Sequence, residues 1–139
     1  LYSDACYVYV APSHPLASMS KSEQAAKVDS FPASHAGLKP HEGVSEQISN
    51  MNLSAISYFY DSRLALILSG RYIGFLPENY AQIWVEAGEI VPVARDFRSY
   101  HLGMAVIYKK TAQPNKPREL FVRTIRQVFG LDEGAAAPY

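Results

Sequence analysis

The chain has 139 residues, enough for one domain or one lobe of a larger one, and its 48% hydrophobic content can supply a core. Thirteen basic residues balance thirteen acidic ones, and the one basic cluster, Lys109-Lys110, is too short to bind nucleic acid unaided. No run of about 18 apolar residues is present to span a bilayer. A single cysteine, Cys6, rules out an internal disulfide framework and fits a reducing cytoplasm.

A first strand is predicted over residues 5–11, where β-branched and aromatic side chains dominate. It begins so soon after a first residue that is not Met that the chain reads as a piece of a longer protein. Pro12 and Pro15 end the strand, because each removes a ladder donor. Ser20, with Glu23 three residues on, makes a capping-box pattern and predicts a short helix over 21–28. A strand over 31–36, a proline-containing loop over 37–43 and one or two helical turns over 44–49 follow. Residues 52–57 read as a strand that feeds a helix over 59–69.

The stretch 69–77 carries the most information. Leu64, Ala65, Leu66, Ile67 and Leu68 precede it as an apolar run of good helix formers. Gly70 stands where that helix stops and a positive φ is often needed. Ile73, Phe75 and Leu76 make a compact strand over 72–76, and Pro77 takes a first-turn position of the next helix. Helix–strand–helix is the building unit of an α/β sheet. The next helix, 78–87, is expected to bury Tyr80, Ile83, Trp84 and Ala87, with Gly88 ending it. A short strand over 89–93 and a longer one over 100–109 follow, with Leu102, Met104, Val106 and Tyr108 alternating in the latter. After a linker over 111–117, a last helix over 117–129 carries an apolar stripe of Leu120, Phe121, Ile125, Val128 and Phe129. Residues 134–139 read as a mobile tail.

The chemistry-bearing residues are sparse. His14, His35, His41 and His101 form no close pair, so no metal site is expected; His14 reads as part of the turn at the strand exit. No G-x-S-x-G elbow is present, and Ser69-Gly70 ends a helix where an elbow needs a strand-to-helix turn. Gly70, Gly74 and Gly88 do not make a dinucleotide fingerprint, so no cofactor is expected. Ligands of open α/β sheets sit beyond the carboxyl ends of the strands. That rule selects two corners, Ser34-His35 and Ser57-Tyr58. Ser57 either donates to a carboxylate there or caps the helix that follows.

In order and motif the chain resembles the C-terminal effector-binding domain of LysR-type transcriptional regulators. Its tyrosine-rich strand closes on His14-Pro15-Leu16, as the family's strand ends in a His-Pro-Leu turn. Leu66 to Pro77 resembles the family's helix, glycine turn and G-I-x-x-L-P strand, with Tyr72 where the second glycine usually stands and Gly74 after Ile73. Asn79-Tyr80-Ala81 through Gly88 and Ile90-Val91-Pro92 match too, so the likeness spans nearly the whole chain.

The resemblance implies an α/β fold of the periplasmic-binding-protein type 2 kind, a Rossmann-like mixed sheet flanked by helices. Residues 1-11 would be a hinge-crossing strand, 12-110 the effector-binding lobe II, and 111-139 the hinge return and C-terminal helix of lobe I. It implies a non-catalytic, cytoplasmic sensor that closes two lobes around a small-molecule effector, anionic or aromatic. DNA would be touched only through an N-terminal winged helix-turn-helix outside this chain. A homodimer or higher homo-oligomer is implied, and no membrane partner. The alternative with the same fold is a lobe of a solute-binding protein for transport. The resemblance favours Ser57-Tyr58 over Ser34-His35 as the effector contact. Tyr72, in a glycine's place beside the cleft, either narrows it or packs into the core. Without lobe I, Leu120, Phe121, Ile125 and Phe129 would face water, and each is worth roughly 1.5–3 kcal/mol when buried. The last helix is therefore expected to pack on, or swap with, a second copy; a monomer in solution with a disordered C-terminal helix would contradict this.

Overall fold

The computed structural model describes residues 2–37, 42–109 and 115–130. The chain forms two compact units: Asp4–Leu102, and the two ends, Leu1–Ser3 with Gly103–Tyr139. The strands are β1 (Tyr2–Val10), β2 (Pro32–His35), β3 (Asn52–Ile56), β4 (Ile73–Pro77), β5 (Val91–Val93) and β6 (Ser99–Met104). The helices are α1 (Lys21–Lys27), α2 (Glu42–Ile48), α3 (Tyr60–Leu68), α4 (Glu78–Glu86) and α5 (Lys116–Val128).

One mixed sheet runs β3-β2-β4-β1-β5, and β6 also pairs with β1. β2 lies parallel to both β3 and β4, whereas β1 lies antiparallel to β4 and β5. Strand period two sorts the core into two sides. Cys6, Val8 and Val10 of β1 join Ile73 and Phe75 of β4 in one buried cluster, with Leu16, Val28 and Met51. Tyr9 and Leu76 join the other, under Leu64 and Ile67 of α3 and Ala81 of α4. The register agrees, since Val8 faces Phe75 and Tyr7 faces Leu76. The sheet is thus α/β with helices against it, as expected.

Local signals explain most element ends. The capping box of α1 is present: the Ser20 hydroxyl accepts from the Glu23 N–H, and the Glu23 carboxylate accepts from the Ser20 N–H at 2.9 Å. Gly70 closes α3 with φ 73°, and a Cβ there would meet the Ser13 Oγ at 2.8 Å. Pro77 is not inside the first turn of α4 but is its N-cap, still extended at ψ 140° and paired in the sheet with Cys6. An extended N-cap offers only its carbonyl to the helix, so the missing N–H costs nothing.

Two expectations about buried faces need correction. Tyr80 and Trp84 are partly buried as expected, but Ile83 is 67% exposed and Ala87 is also exposed, and the fully buried residue of α4 is Ala81. β6 stops at Met104 rather than reaching Lys109, and Ile107 is 92% exposed. Alternation makes a strand only where a neighbour covers one face. The tail expected over 134–139 and most of the linker expected over 111–117 lie outside the described residues, as does the middle of the loop expected over 37–43.

Within the terminal unit, Asn115 caps α5 by accepting the Arg118 N–H at 3.0 Å. Tyr2 stacks on Phe129 at 5.4 Å, and Arg118 lies 5.2 Å from the Tyr108 ring. Among the described residues no side chain of α5 is fully buried; Leu120, Phe121, Val128 and Phe129 are exposed and Ile125 is half-buried.

His14 does sit in the turn that leaves β1. It is 2% exposed, caps the single helical turn Pro15–Ser18 by accepting the Leu16 N–H at Nδ1 (3.2 Å), and meets Phe31 edge-on at 4.8 Å. Burial holds its imidazole below the ordinary 6.5. The unfolded chain therefore binds the proton first as pH falls. Its stabilising contribution is complete above 6.5 and is lost as pH drops from there toward the depressed folded value. Melting temperature should hold steady above about pH 7 and fall below about pH 6.5. His14→Asn keeps an acceptor for the Leu16 N–H but cannot titrate, so it should flatten that segment. Parallel losses in both proteins would rule His14 out as the source.

Candidate functional site

A cavity of about 320 Å³ opens at the carboxyl ends of the parallel strands β2 and β3. Ser34, His35 and Ala36 come from the end of β2, and Tyr58 from just after β3. Val44 and Ile48 of α2, Met51, Leu53, Phe75, Tyr100 and Leu102 supply most of the apolar wall. Tyr60 and Arg63 of α3 complete it. Its size and mostly apolar lining with a few polar groups suit a small organic molecule.

Arg63 is the only charged side chain among the described wall residues and is 4% exposed. Its Nη1 donates to the Phe75 carbonyl at 2.9 Å, and its Nη2 donates to the Ser57 carbonyl at 3.0 Å. Its Nε is buried with no partner. The three ion pairs among the described residues are Lys21–Asp96, Arg95–Glu78 and Arg98–Asp29, so no carboxylate neutralises Arg63 at contact distance. The guanidinium lies 5.6 Å from the Tyr60 ring. Asp4 is also buried; its field raises the Cys6 thiol and the Tyr60 phenol, while that of Arg63 lowers them. Burial, the larger cause, pushes Cys6 up to about 12 and the Tyr100 phenol upward, so both stay protonated at neutral pH.

The structure brings Ser34, His35 and Tyr58 together and leaves Ser57 and Tyr72 outside this wall. Ser34 is buried and donates to the Ile73 carbonyl at 3.3 Å. His35 accepts the Gly37 N–H at Nδ1 (3.2 Å), which leaves Nε2 as its proton-bearing nitrogen. Tyr58 is 63% exposed at the rim. Ser57 is buried and committed internally. Its hydroxyl donates to the Phe59 carbonyl at 2.9 Å and lies 2.8 Å from the Ser62 hydroxyl. Its N–H donates to the His35 carbonyl at 2.8 Å, extending the β2–β3 pairing past the strand end. Phe59, not Ser57, is the N-cap of α3, and no side chain caps it. Tyr72 is half-buried, just before β4 begins.

Sequence reasoning missed Arg63, Phe75 and Tyr100. Arg63 had a readable signal: it stands four residues before buried Ile67, on the helix face that turns inward. Gly74 had another. A Cβ there would meet the Ser34 Oγ at 2.6 Å and the Arg63 Cγ and Cδ at 3.1 and 3.2 Å. The glycine in the Tyr72-Ile73-Gly74 motif is therefore what lets the arginine stem lie against β4 beside Ser34.

Among the described residues, no group of three His, Cys, Asp or Glu could hold a metal ion, and no helix is long and apolar enough to cross a membrane.

No protein-family model matches the chain. In sequence it is 27% identical over 128 residues, 90% of its length, to the HTH-type transcriptional activator BauR of Pseudomonas aeruginosa, and it spans 41% of that protein. In fold it is similar to the bromide-bound regulatory domain of HypT from Salmonella typhimurium. That likeness has TM-score 0.67 and 12% identity, over 93% of this chain and 62% of that one. It is also similar to the full-length LysR-type transcriptional regulator LysG of Corynebacterium glutamicum with bound effector arginine. There the TM-score is 0.54 and the identity 17%, over 99% of this chain and 47% of that one.

Gly74→Ala should lower stability by about 1–3 kcal/mol, the usual cost of overpacking a filled interior. Urea unfolding checks it, through a lower midpoint at unchanged slope. An unchanged midpoint would mean that Ser34 and Arg63 are free to move aside.

Proposed function

We propose that this chain, a fragment of a LysR-type effector-binding domain, senses a small-molecule effector in the cavity beside Arg63 and so controls DNA binding and transcription by a longer regulator. One observation carries the reading: a largely apolar cavity with a single buried cation sits where open α/β sheets bind ligands. The sequence likeness to a transcriptional activator favours this over a transport lobe.

In this reading residues 1-11 cross a hinge, 12-110 form lobe II, and 111-139 return across the hinge as part of lobe I. Ser34, His35 and Tyr58 contact the effector, while Ser57 and Tyr72 act at one remove, through the backbone at the cavity floor and the start of β4. Tightening around the effector alters the pairing of subunits and so the spacing of DNA-binding heads. That demands unequal affinity for open and closed forms, since an effector that binds both alike shifts nothing. Oligomerisation would cover the exposed apolar residues of α5, and the protein would work in the cytoplasm, where its DNA target is. The role is non-catalytic. The Ser34 and Ser57 hydroxyls both donate to carbonyls, and neither meets a base among the described residues, which supports binding rather than turnover.

A thermal-shift screen of small metabolites against the complete two-lobed domain that includes this chain tests the reading. At a hundred times its Kd an effector should add about 2.7 kcal/mol of stability. Tyr58→Ala, a change at an exposed rim residue, should weaken that effector by about 1 kcal/mol or more while leaving the ligand-free melting temperature within a degree or so. A screen without hits, or hits indifferent to the Tyr58 change, would refute the proposal.

A further inference from the structure

We infer that the cavity selects a small amphipathic monocarboxylate, with its carboxylate at Arg63 and its apolar body against Ile48, Met51 and Phe75. This rests on the reading of the cavity as the effector site and adds the class of effector. Of the five N–H donors of Arg63, one each on Nη1 and Nη2 reaches a carbonyl and Nε–H is shut away without a partner, which leaves the second protons of Nη1 and Nη2 for an anion in the cavity. A buried guanidinium left with open donors and no ion pair is costly, and an anion at the Nη protons supplies both an acceptor and the missing charge. Asp4, the buried carboxylate whose field reaches the same surroundings, makes no ion pair with it.

The rest of the wall sets the anion's class. It holds one formal charge, so a doubly charged phosphate would arrive with a second charge unmatched. Ile48, Met51, Phe75 and Leu102 offer nothing to a purely inorganic ion but match an aliphatic or aromatic body. His35, proton-bearing at Nε2, and the Tyr58 hydroxyl are further donors on the wall and rim.

Isothermal titration of the same two-lobed domain with phenylacetate, phenylacetamide and acetate tests the inference without altering the protein. Phenylacetate should bind at least about tenfold tighter than its uncharged amide, the margin of a charge-assisted over a neutral hydrogen bond. It should also bind at least about tenfold tighter than acetate, which lacks the body. Hexanoate and hexanamide should repeat the pattern. Arg63→Lys keeps the charge without the fork, so it should bind phenylacetate more weakly while still preferring it to the amide. Amides that bind as well as their acids would overturn the inference, as would acetate matching phenylacetate, or none of these compounds binding. Those results would leave the sensing role standing if the wider screen still finds an effector that depends on Tyr58.

Discussion

A buried arginine organises this end of the sheet. Arg63 reaches from α3 to two carbonyls that the secondary structure leaves within its range, Ser57 just past β3 and Phe75 inside β4. Charge-assisted bonds of this kind are among the stronger contacts a side chain makes with backbone. They fix the corner where β3 turns into α3 relative to β4, two strands away in the order β3-β2-β4. The bare backbone of Gly74 and the small Ser34 make room for the arginine stem. The cavity wall is therefore set by a helix residue, a glycine and a serine that depend on one another, and altering any one disturbs the other two.

This dependence explains why the site was only partly legible in the sequence. Strand ends are local features, so the Ser34-His35 and Ser57-Tyr58 corners could be found from the chain alone. What each side chain does there depends on non-local partners. Ser57 reads either as a donor to ligand or as the cap of α3, yet its hydroxyl is held by the Phe59 carbonyl and the Ser62 hydroxyl. Arg63 drew no notice in the sequence because arginine is seldom buried, although its spacing from Ile67 places it inward.

The fold was far more legible, because its signals are short-range. The α3–β4–α4 unit follows from Gly70, three apolar residues and Pro77, all within a few residues of the ends they set. The capping box at Ser20 is equally local. Misreadings came where pattern alone was asked to decide burial. The inward face of α4 centres on Ala81, a small residue that periodicity by bulk passes over, and Ile83 points out. The alternation after Met104 continues in the sequence, but no pairing strand accompanies it among the described residues.

Trp84, the one tryptophan of the chain, packs in the second cluster with Tyr80, on the side of the sheet away from Met51 and Phe75. Light absorbed at the red edge of the ultraviolet band by that indole reports first on the α4 layer, which meets the cavity wall where Tyr80 lies 5.5 Å from the Tyr60 ring. Three tyrosines, Tyr58, Tyr60 and Tyr100, border the cavity instead. Indole emission therefore follows the body of the fold, while the three wall phenols add to a tyrosine band shared with seven others in the chain.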